Sequence, residues 1–427
     1  KNKMQSVENT VMKKIWWRIM PVLFSGYLIA YMDRSNLGFA SIQMNKMLGI
    51  DPAIYGFGAG IFFIGYCLLD IPSNLLMKKY GARIWLPRIM FLWGIVSILN
   101  ALIAGPTSFL LGRFMLGVAE GGFLPGAILY ITYWFPMKFR ARAAAIFMLA
   151  APIAGTITGP VSGALLDLEG LLGLHGWQIV FIVEAMPAIL LGFLSLKILV
   201  SDITEAKWLN DQEKQWLIDT QQSQSDDQRT VIGWQDLKKA LTNKTAIILG
   251  FFFGGAGSVQ IALAYWSPQL IKSFQFSNLE TGFISAIPWL ISAFAMIIWA
   301  HLSDRKQERF WYNIVPLCLS IITIVFLCMG NYSASVIVVC LTILGASISA
   351  TKGPFWAVAG ELLDKNQMAW TIGMINMVSN ILLFALSYLM GWIRSYSDSF
   401  AYSIIPSAVI MGFIVIYLFI KKHKQQA

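Results

Sequence analysis

The sequence predicts an all-α membrane protein, with twelve transmembrane helices in two six-helix bundles and both termini cytoplasmic. Three observations carry this reading: the composition, the length of the apolar runs and the placement of the basic residues. Of 427 residues, 57% are hydrophobic and only 13% are charged, which leaves too little polar surface to cover a soluble globule of that size. The apolar residues fall in runs such as Ile84 to Gly105 and Phe310 to Gly330, and about twenty residues is the length at which an α-helix crosses a bilayer. The lysines and arginines gather in alternate breaks between runs, the pattern that sets membrane orientation.

Taken in order, the first six spans are expected near residues 15–38, 52–77, 84–105, 108–135, 143–166 and 177–200. The second six are expected near 245–272, 279–303, 310–330, 333–361, 368–393 and 400–420. The first apolar stretch follows Lys13 and Lys14 and outruns the core of a signal peptide, so it reads as a retained first helix. Lys13/Lys14, Lys78/Lys79/Arg83, Lys138/Arg140/Arg142, Arg305/Lys306/Arg309 and Lys421/Lys422/Lys424 fall on one side, which is read as cytoplasmic. A polar stretch rich in Gln, Asp and Lys separates the two sets, giving an N-terminal bundle 1–200, a cytoplasmic linker 201–243 and a C-terminal bundle 244–427. A weak internal repeat supports the division: Lys78-Lys79-Tyr80-Gly81-Ala82-Arg83 after the second span has a counterpart in Asp304-Arg305-Lys306-Gln307-Glu308-Arg309 after the eighth. Lys78, Arg83, Asp304, Arg305 and Arg309 are the candidate gate residues at that end.

The remaining composition excludes other classes. The net charge of +10 lies at span ends rather than on a basic recognition helix, so no nucleic-acid partner is expected. Cys67, Cys318, Cys328 and Cys340 lie in apolar runs without a CxxC or Cys/His spacing, so neither a metal nor a cofactor is expected. No HExxH or Ser/His/Asp set stands out, and His175, His301 and His423 lie near span ends, which argues against an enzyme or receptor. The expected partners are the lipid bilayer and a small solute, the expected location is the inner membrane, and the expected state is a monomer.

Ionisable groups inside spans cost about 2.5 to 3.5 kcal/mol each on insertion scales, so they face partners or a watery cavity and mark function. Asp33 and Arg34 sit in the first span, and Arg113 and Glu120 in the fourth. The seven-residue spacing puts Arg113 and Glu120 on one helix face, roughly 10 Å apart along the axis. Arginine stays protonated and its fork holds a carboxylate through two parallel hydrogen bonds, so Arg34 and Arg113 are candidate anion-binding groups. Asp33 and Glu120 can gain and lose protons, which makes them candidates for proton coupling; the alternative is that each neutralises an arginine. The implied device is a proton-coupled anion carrier.

In the second half Asn376 and Asn380 are four residues apart and share a face. They either read a hydroxyl or carboxylate of the solute, or hold helices together. Tyr265 and Gln269, in the segment Tyr265-Trp266-Ser267-Pro268-Gln269, belong either to a gate or to an interfacial aromatic belt. Lys352 is either a third cation or a side chain reaching back to water.

The chain resembles the major facilitator superfamily, and within it the anion:cation symporters of the phthalate, tartrate, hydroxyphenylacetate and sugar-acid permease type. Tyr31-Met32-Asp33-Arg34-Ser35-Asn36, Pro72-Ser73-Asn74-Leu75 with Gly81-Ala82-Arg83, and the run from Arg113 to Gly122 carry the resemblance. It continues through Tyr133-Trp134-Phe135-Pro136, Gly176-Trp177-Gln178, Ser303-Asp304-Arg305, Gly353-Pro354-Phe355-Trp356 and Gly391-Trp392. The resemblance implies the major facilitator fold and import of a small organic anion with protons by alternating access. It implies Asp33 and Glu120 as proton-coupling acids, Arg34 and Arg113 as anion-binding or coupling cations and Asn376 as a substrate contact. Export of a metabolite or drug is the rival within the same superfamily. The sequence departs from the pattern at Lys78, where an acid is usual, at Gln307, where glycine is usual, and at Phe384-Ala385-Leu386-Ser387-Tyr388, where a glycine-rich stretch ending in proline is usual.

Overall fold

The computed structural model describes residues 2–225, 242–363 and 368–426; linker residues 226–241 and the side chain of Asn74 lie outside the described residues. Among the described residues, twelve helices are long and apolar enough to cross a membrane. They are α1 (Ser6–Leu48), α2 (Pro52–Leu69), α3 (Ala82–Leu102), α4 (Pro106–Trp134), α5 (Met137–Leu166) and α6 (Gly176–Ile198), then α7 (Lys244–Lys272), α8 (Asn278–Lys306), α9 (Phe310–Cys328), α10 (Ala334–Leu362), α11 (Thr371–Tyr396) and α12 (Ile405–Lys424). The largest departure from the expected bounds is α1, which reaches ten residues beyond 38. Its helix Met20–Leu48 has 29 residues, about 43 Å at 1.5 Å per residue. That exceeds the hydrocarbon thickness, so its last turns extend past the apolar run that hydropathy detects, until Gly49 closes the helix at φ 64°.

The repeat inferred from the two charged turns has a structural counterpart. The helix of α2 runs on to Tyr80, and both it and α8 have 29 residues and end at a residue with positive φ, Gly81 at 82° and Gln307 at 51°. Gln307 therefore occupies the left-handed conformation that favours glycine, at a cost of about 1 kcal/mol.

Within the first six helices α1 packs on α5 and α6, α2 on α4, and α3 on α6; within the second six α8 packs on α10, α7 on α11, and α9 on α10 and α12. The two sets meet along three seams, α2 with α11, α5 with α8 and α1 with α7. All three seams lie toward the end opposite the termini. There backbones approach too closely for a side chain: a Cβ on Gly56 would overlap Ser387 and Gly391, one on Gly159 would overlap Gly282, and one on Gly38 would overlap the Ala264 carbonyl. Small residues at these crossings are what close helix packing in a membrane requires. Phe57 adds edge contacts to Phe384 and Tyr388, each with centroids 5.4 Å apart, and Asn278 of α8 donates to Asp167 at 2.8 Å. The aromatic Phe384 to Tyr388 stretch thus forms part of the seam with α2.

At the termini end the charged contacts run within one half or from the first half to the linker. Lys14 pairs with Glu213 of the linker helix Asp211–Ser225 at 2.7 Å, and Arg140 donates to Gln221 of the same helix at 3.0 Å. The buried Glu213 carboxyl is pushed up by burial but pulled down further by Lys14 and the Asn210 amide, and lies below the ordinary glutamate range. In the second half Arg309 pairs with Asp304, and Lys422 with Glu308 at 3.0 Å. The close approaches between the two halves described above thus gather at the end opposite the termini, the pinched end.

Candidate functional site

Asp33 and Arg34 are consecutive residues, so helical geometry turns their side chains about 100° apart. They enter two different clusters. Arg34 faces α2 and α4, where its Nε donates to Glu120 Oε1 at 2.6 Å and its guanidinium lies 5.1 Å from the Phe62 ring centroid and 4.8 Å from that of Tyr66. The pair is enclosed, with side-chain exposures of 15% for Arg34 and 1% for Glu120. Glu120 is placed by a helix break: it ends the helix Pro106–Glu120, and the next helix starts at Phe123 after Gly122 at φ 89°. A Cβ at Gly122 would overlap Ser73 of α2, so glycine is required both for the conformation and for the space.

Arg113, two turns before Glu120, is buried to 1% exposure and is paired with no carboxylate among the described residues. One Nη donates to the Tyr265 hydroxyl at 3.3 Å; Nε and the other Nη find no acceptor. Its guanidinium lies 5.1 Å from the Phe62 centroid and 5.7 Å from that of Tyr265. One ring, Phe62, therefore serves both arginines. Aromatic faces stabilise a cation without neutralising it, so Arg113 remains a full positive charge with free donors in a low-dielectric place.

Tyr265 comes from the second half, on a π-helical turn Ala262–Trp266 that precedes Pro268. Proline has no amide hydrogen to donate, which suits the widened turn at this point. The turn packs on α1, and the Tyr265 carbonyl accepts from the Tyr55 hydroxyl at 2.9 Å. One turn further, Gln269 donates to Ser41 of α1 at 2.6 Å. Tyr265 thus closes over the arginines while Gln269 clasps the pinched end.

Asp33 points the other way, into the first bundle. Ser97 of α3 donates to its Oδ1, Asn36 reaches the same oxygen at 3.4 Å, and Oδ2 has no partner. Beside it lies Glu184 of α6, 3% exposed, whose Oε1 accepts from Ser162 of α5 at 2.5 Å.

Among the other candidates, Asn376, Asn380 and Lys352 are half-buried, with no hydrogen bond or ion pair to another described residue. The structure does not bring them to the arginines by any direct contact. Lys352 follows by one turn Ser349, which accepts from Gln260 of α7 at 3.1 Å. Of the gate candidates, Lys78 and Arg305 are exposed, and Arg83 binds the Leu196 carbonyl at 3.2 Å inside its own half. Asp304 and Arg309 form an ion pair, joined at 3.9 Å by Glu361, again inside one half. No group of three or more metal-ligating side chains occurs among the described residues.

Sequence reasoning missed Glu184, Phe62 and Arg394. Glu184 lay inside the sixth predicted span, so the rule that found Glu120 also reaches it. Phe62 carries no signal among 28 phenylalanines. Arg394 lies one residue past the predicted end of the eleventh span; its guanidinium sits 5.1 Å from the Trp266 ring at the pinched end, with Nε and one Nη unpartnered.

Residues 23–388 match the family model described as Major Facilitator Superfamily. The chain belongs to the major facilitator superfamily. It is 41% identical over 394 residues to a putative tartrate transporter of Agrobacterium vitis, covering 92% of this chain and 87% of that protein. It is 34% identical over 425 residues to a quinolone resistance transporter of Acinetobacter baumannii, covering 98% and 97%. In fold it is similar to the xylose transporter XylE from E. coli in a partially occluded inward open conformation, with a TM-score of 0.76 at 15% identity over 95% of this chain and 97% of that one. This superfamily member is therefore a multi-pass membrane transporter and not an enzyme, and the tartrate relatives agree with the anion:cation symporter type read from its motifs.

Proposed function

We propose that this transporter imports a small organic carboxylate, with a hydroxy acid such as tartrate as the first candidate, together with protons. The observation that carries the reading is Arg113: a buried guanidinium with no carboxylate, two nitrogens without acceptors, and a tyrosine of the opposite half against it. Such a group is the complement of a substrate carboxylate, which would complete its hydrogen bonds and lie at the junction of the moving halves. Arg34 serves as the counter-charge of Glu120. Protonation of Glu120 would free Arg34 for the anion, which links proton and substrate binding at one pair. Asp33 is the other coupling acid, and Asn376, Asn380 and Lys352 are the second-half candidates for contacting the rest of the solute.

In this reading residues 1–200 and 244–427 rock as two bodies about the linker 201–243, with both termini cytoplasmic and a monomer as the working unit. The pinched end is then extracellular and the termini end cytoplasmic, so Lys78, Arg83, Asp304, Arg305 and Arg309 would engage across the halves when the termini end closes. The similarity to a quinolone resistance transporter favours a second reading, export of a metabolite or drug.

Reconstitution in vesicles decides between them. An inward proton gradient should drive accumulation of labelled tartrate, an uncoupler should abolish accumulation, and Glu120→Gln should lose the response to the gradient. Accumulation indifferent to the uncoupler ends the coupling claim; outward, gradient-driven movement of the same solute from whole cells favours export.

A further inference from the structure

We propose that Asp33 and Glu184 form a second proton site, a carboxyl pair separate from the Arg34–Glu120 pair, in which one carboxyl carries a proton at neutral pH. The inference rests on the proton-coupled reading above for its use, but the site itself stands on hydrogen-bond accounting. Both carboxyls are buried, at 1% and 3% exposure, on α1 and α6. Their donors are Ser97 of α3, Ser162 of α5 and the Asn36 amide, which lies between them and interacts with both. After these are used, Asp33 Oδ2, Glu184 Oε2 and Asn36 Oδ1 remain buried acceptors without a donor.

Among the described residues no cation is hydrogen-bonded to either carboxyl. Helices α1, α3 and α5 pack on α6, and the charged group they turn toward Glu184 is Asp33 itself; Asp33 in turn feels Glu120 and Arg113 from α4. A buried carboxylate without a cation is costly by several kcal/mol and is neutralised by taking up a proton. A proton on either carboxyl also supplies a missing donor, since the resulting O–H can serve the unpartnered Asn36 Oδ1 that lies between them. Two carboxyls without a shared cation titrate as a pair and not as independent groups. The site therefore stores a proton in a cluster that makes no hydrogen bond to Arg34 or Arg113.

Infrared spectroscopy of the purified full-length protein tests this without a ligand. The wild type at neutral pH should show the carbonyl stretch of a protonated, buried carboxylic acid. The band should be lost or shifted in Glu184→Gln and in Asp33→Asn, and should persist in Glu120→Gln. In vesicles, the alkaline limb of the tartrate-uptake profile should move to lower pH in Glu184→Gln, because Asp33 then has no acid partner. A merely structural Glu184 would change thermal stability and leave the profile in place. Absence of the band in the wild type overturns the proposal even if no variant folds, as does a band unaltered in both Glu184→Gln and Asp33→Asn. Uptake indifferent to a proton gradient alongside a Glu184-dependent band would instead remove the coupling reading and keep the site.

Discussion

Arg34 and Arg113 are both buried arginines of the first six helices, and both lie 5.1 Å from the same Phe62 ring, yet they differ in what completes them. Arg34 has Glu120; Arg113 has a tyrosine hydroxyl and two idle nitrogens. A guanidinium matched by a carboxylate is an internal neutral unit, whereas one matched only by aromatic faces and a neutral hydroxyl keeps its charge for a ligand. The difference teaches that burial of a charge in a membrane span marks a site, while its partner decides whether the site is self-contained or open to a substrate.

The comparison is broken most severely by removing one member of the closed pair. Glu120→Gln leaves Arg34 enclosed without a counter-charge and should lower unfolding free energy by about 3 to 5 kcal/mol, read as a reduced melting temperature in detergent. Addition of the carboxylate substrate should recover part of it. The next largest effect is on the open arginine. Arg113→Ala removes at least one charge-assisted bond to the anion and should weaken tartrate binding by roughly 100-fold in calorimetry, with the melting temperature of the unliganded protein little lowered. An equal loss of stability in both variants would show that Arg113 too has an internal partner and would erase the distinction.

Phe62→Leu sharpens the contrast from beneath, since it removes the ring under both cations. About 1 kcal/mol should be lost at each arginine, seen as reduced stability through Arg34 and as a several-fold weaker substrate Kd through Arg113. The smallest effect is expected of Tyr265→Phe, which deletes one long hydrogen bond, 3.3 Å, from Arg113 and none from Arg34. Substrate affinity should change by less than about tenfold while the Arg34–Glu120 pair is untouched; a larger change would place the Tyr265 hydroxyl on the substrate itself.

The second half offers no comparable pair. Lys352, Asn376 and Asn380 were legible as polar residues in apolar runs, but they meet no partner among the described residues. For these three, sequence and structure together fix a position in a helix and leave the role to the solute. The gate candidates are similar: their charges were legible, and the structure places Asp304, Arg309 and Arg83 in contacts inside their own half while Lys78 and Arg305 are exposed.

What the sequence determined by itself was the class and the order of the elements, because bilayer thickness imposes one length on every span and the cost of charge in hydrocarbon makes each exception visible. Asp33, Arg34, Arg113 and Glu120 were legible for that reason, and Glu184 obeys the same rule. Pairing was not legible. Asp33 and Arg34 are adjacent in sequence and yet serve different clusters, because a 100° step per residue sends neighbours to different helices. Glu120 reaches Arg34 across 86 residues of chain, and Tyr265 reaches Arg113 across 152. Only the packing of α1 against α2, α4, α6 and α7 decided which charge is cancelled, which carboxyls share a cluster and which arginine is left without a carboxylate among the described residues.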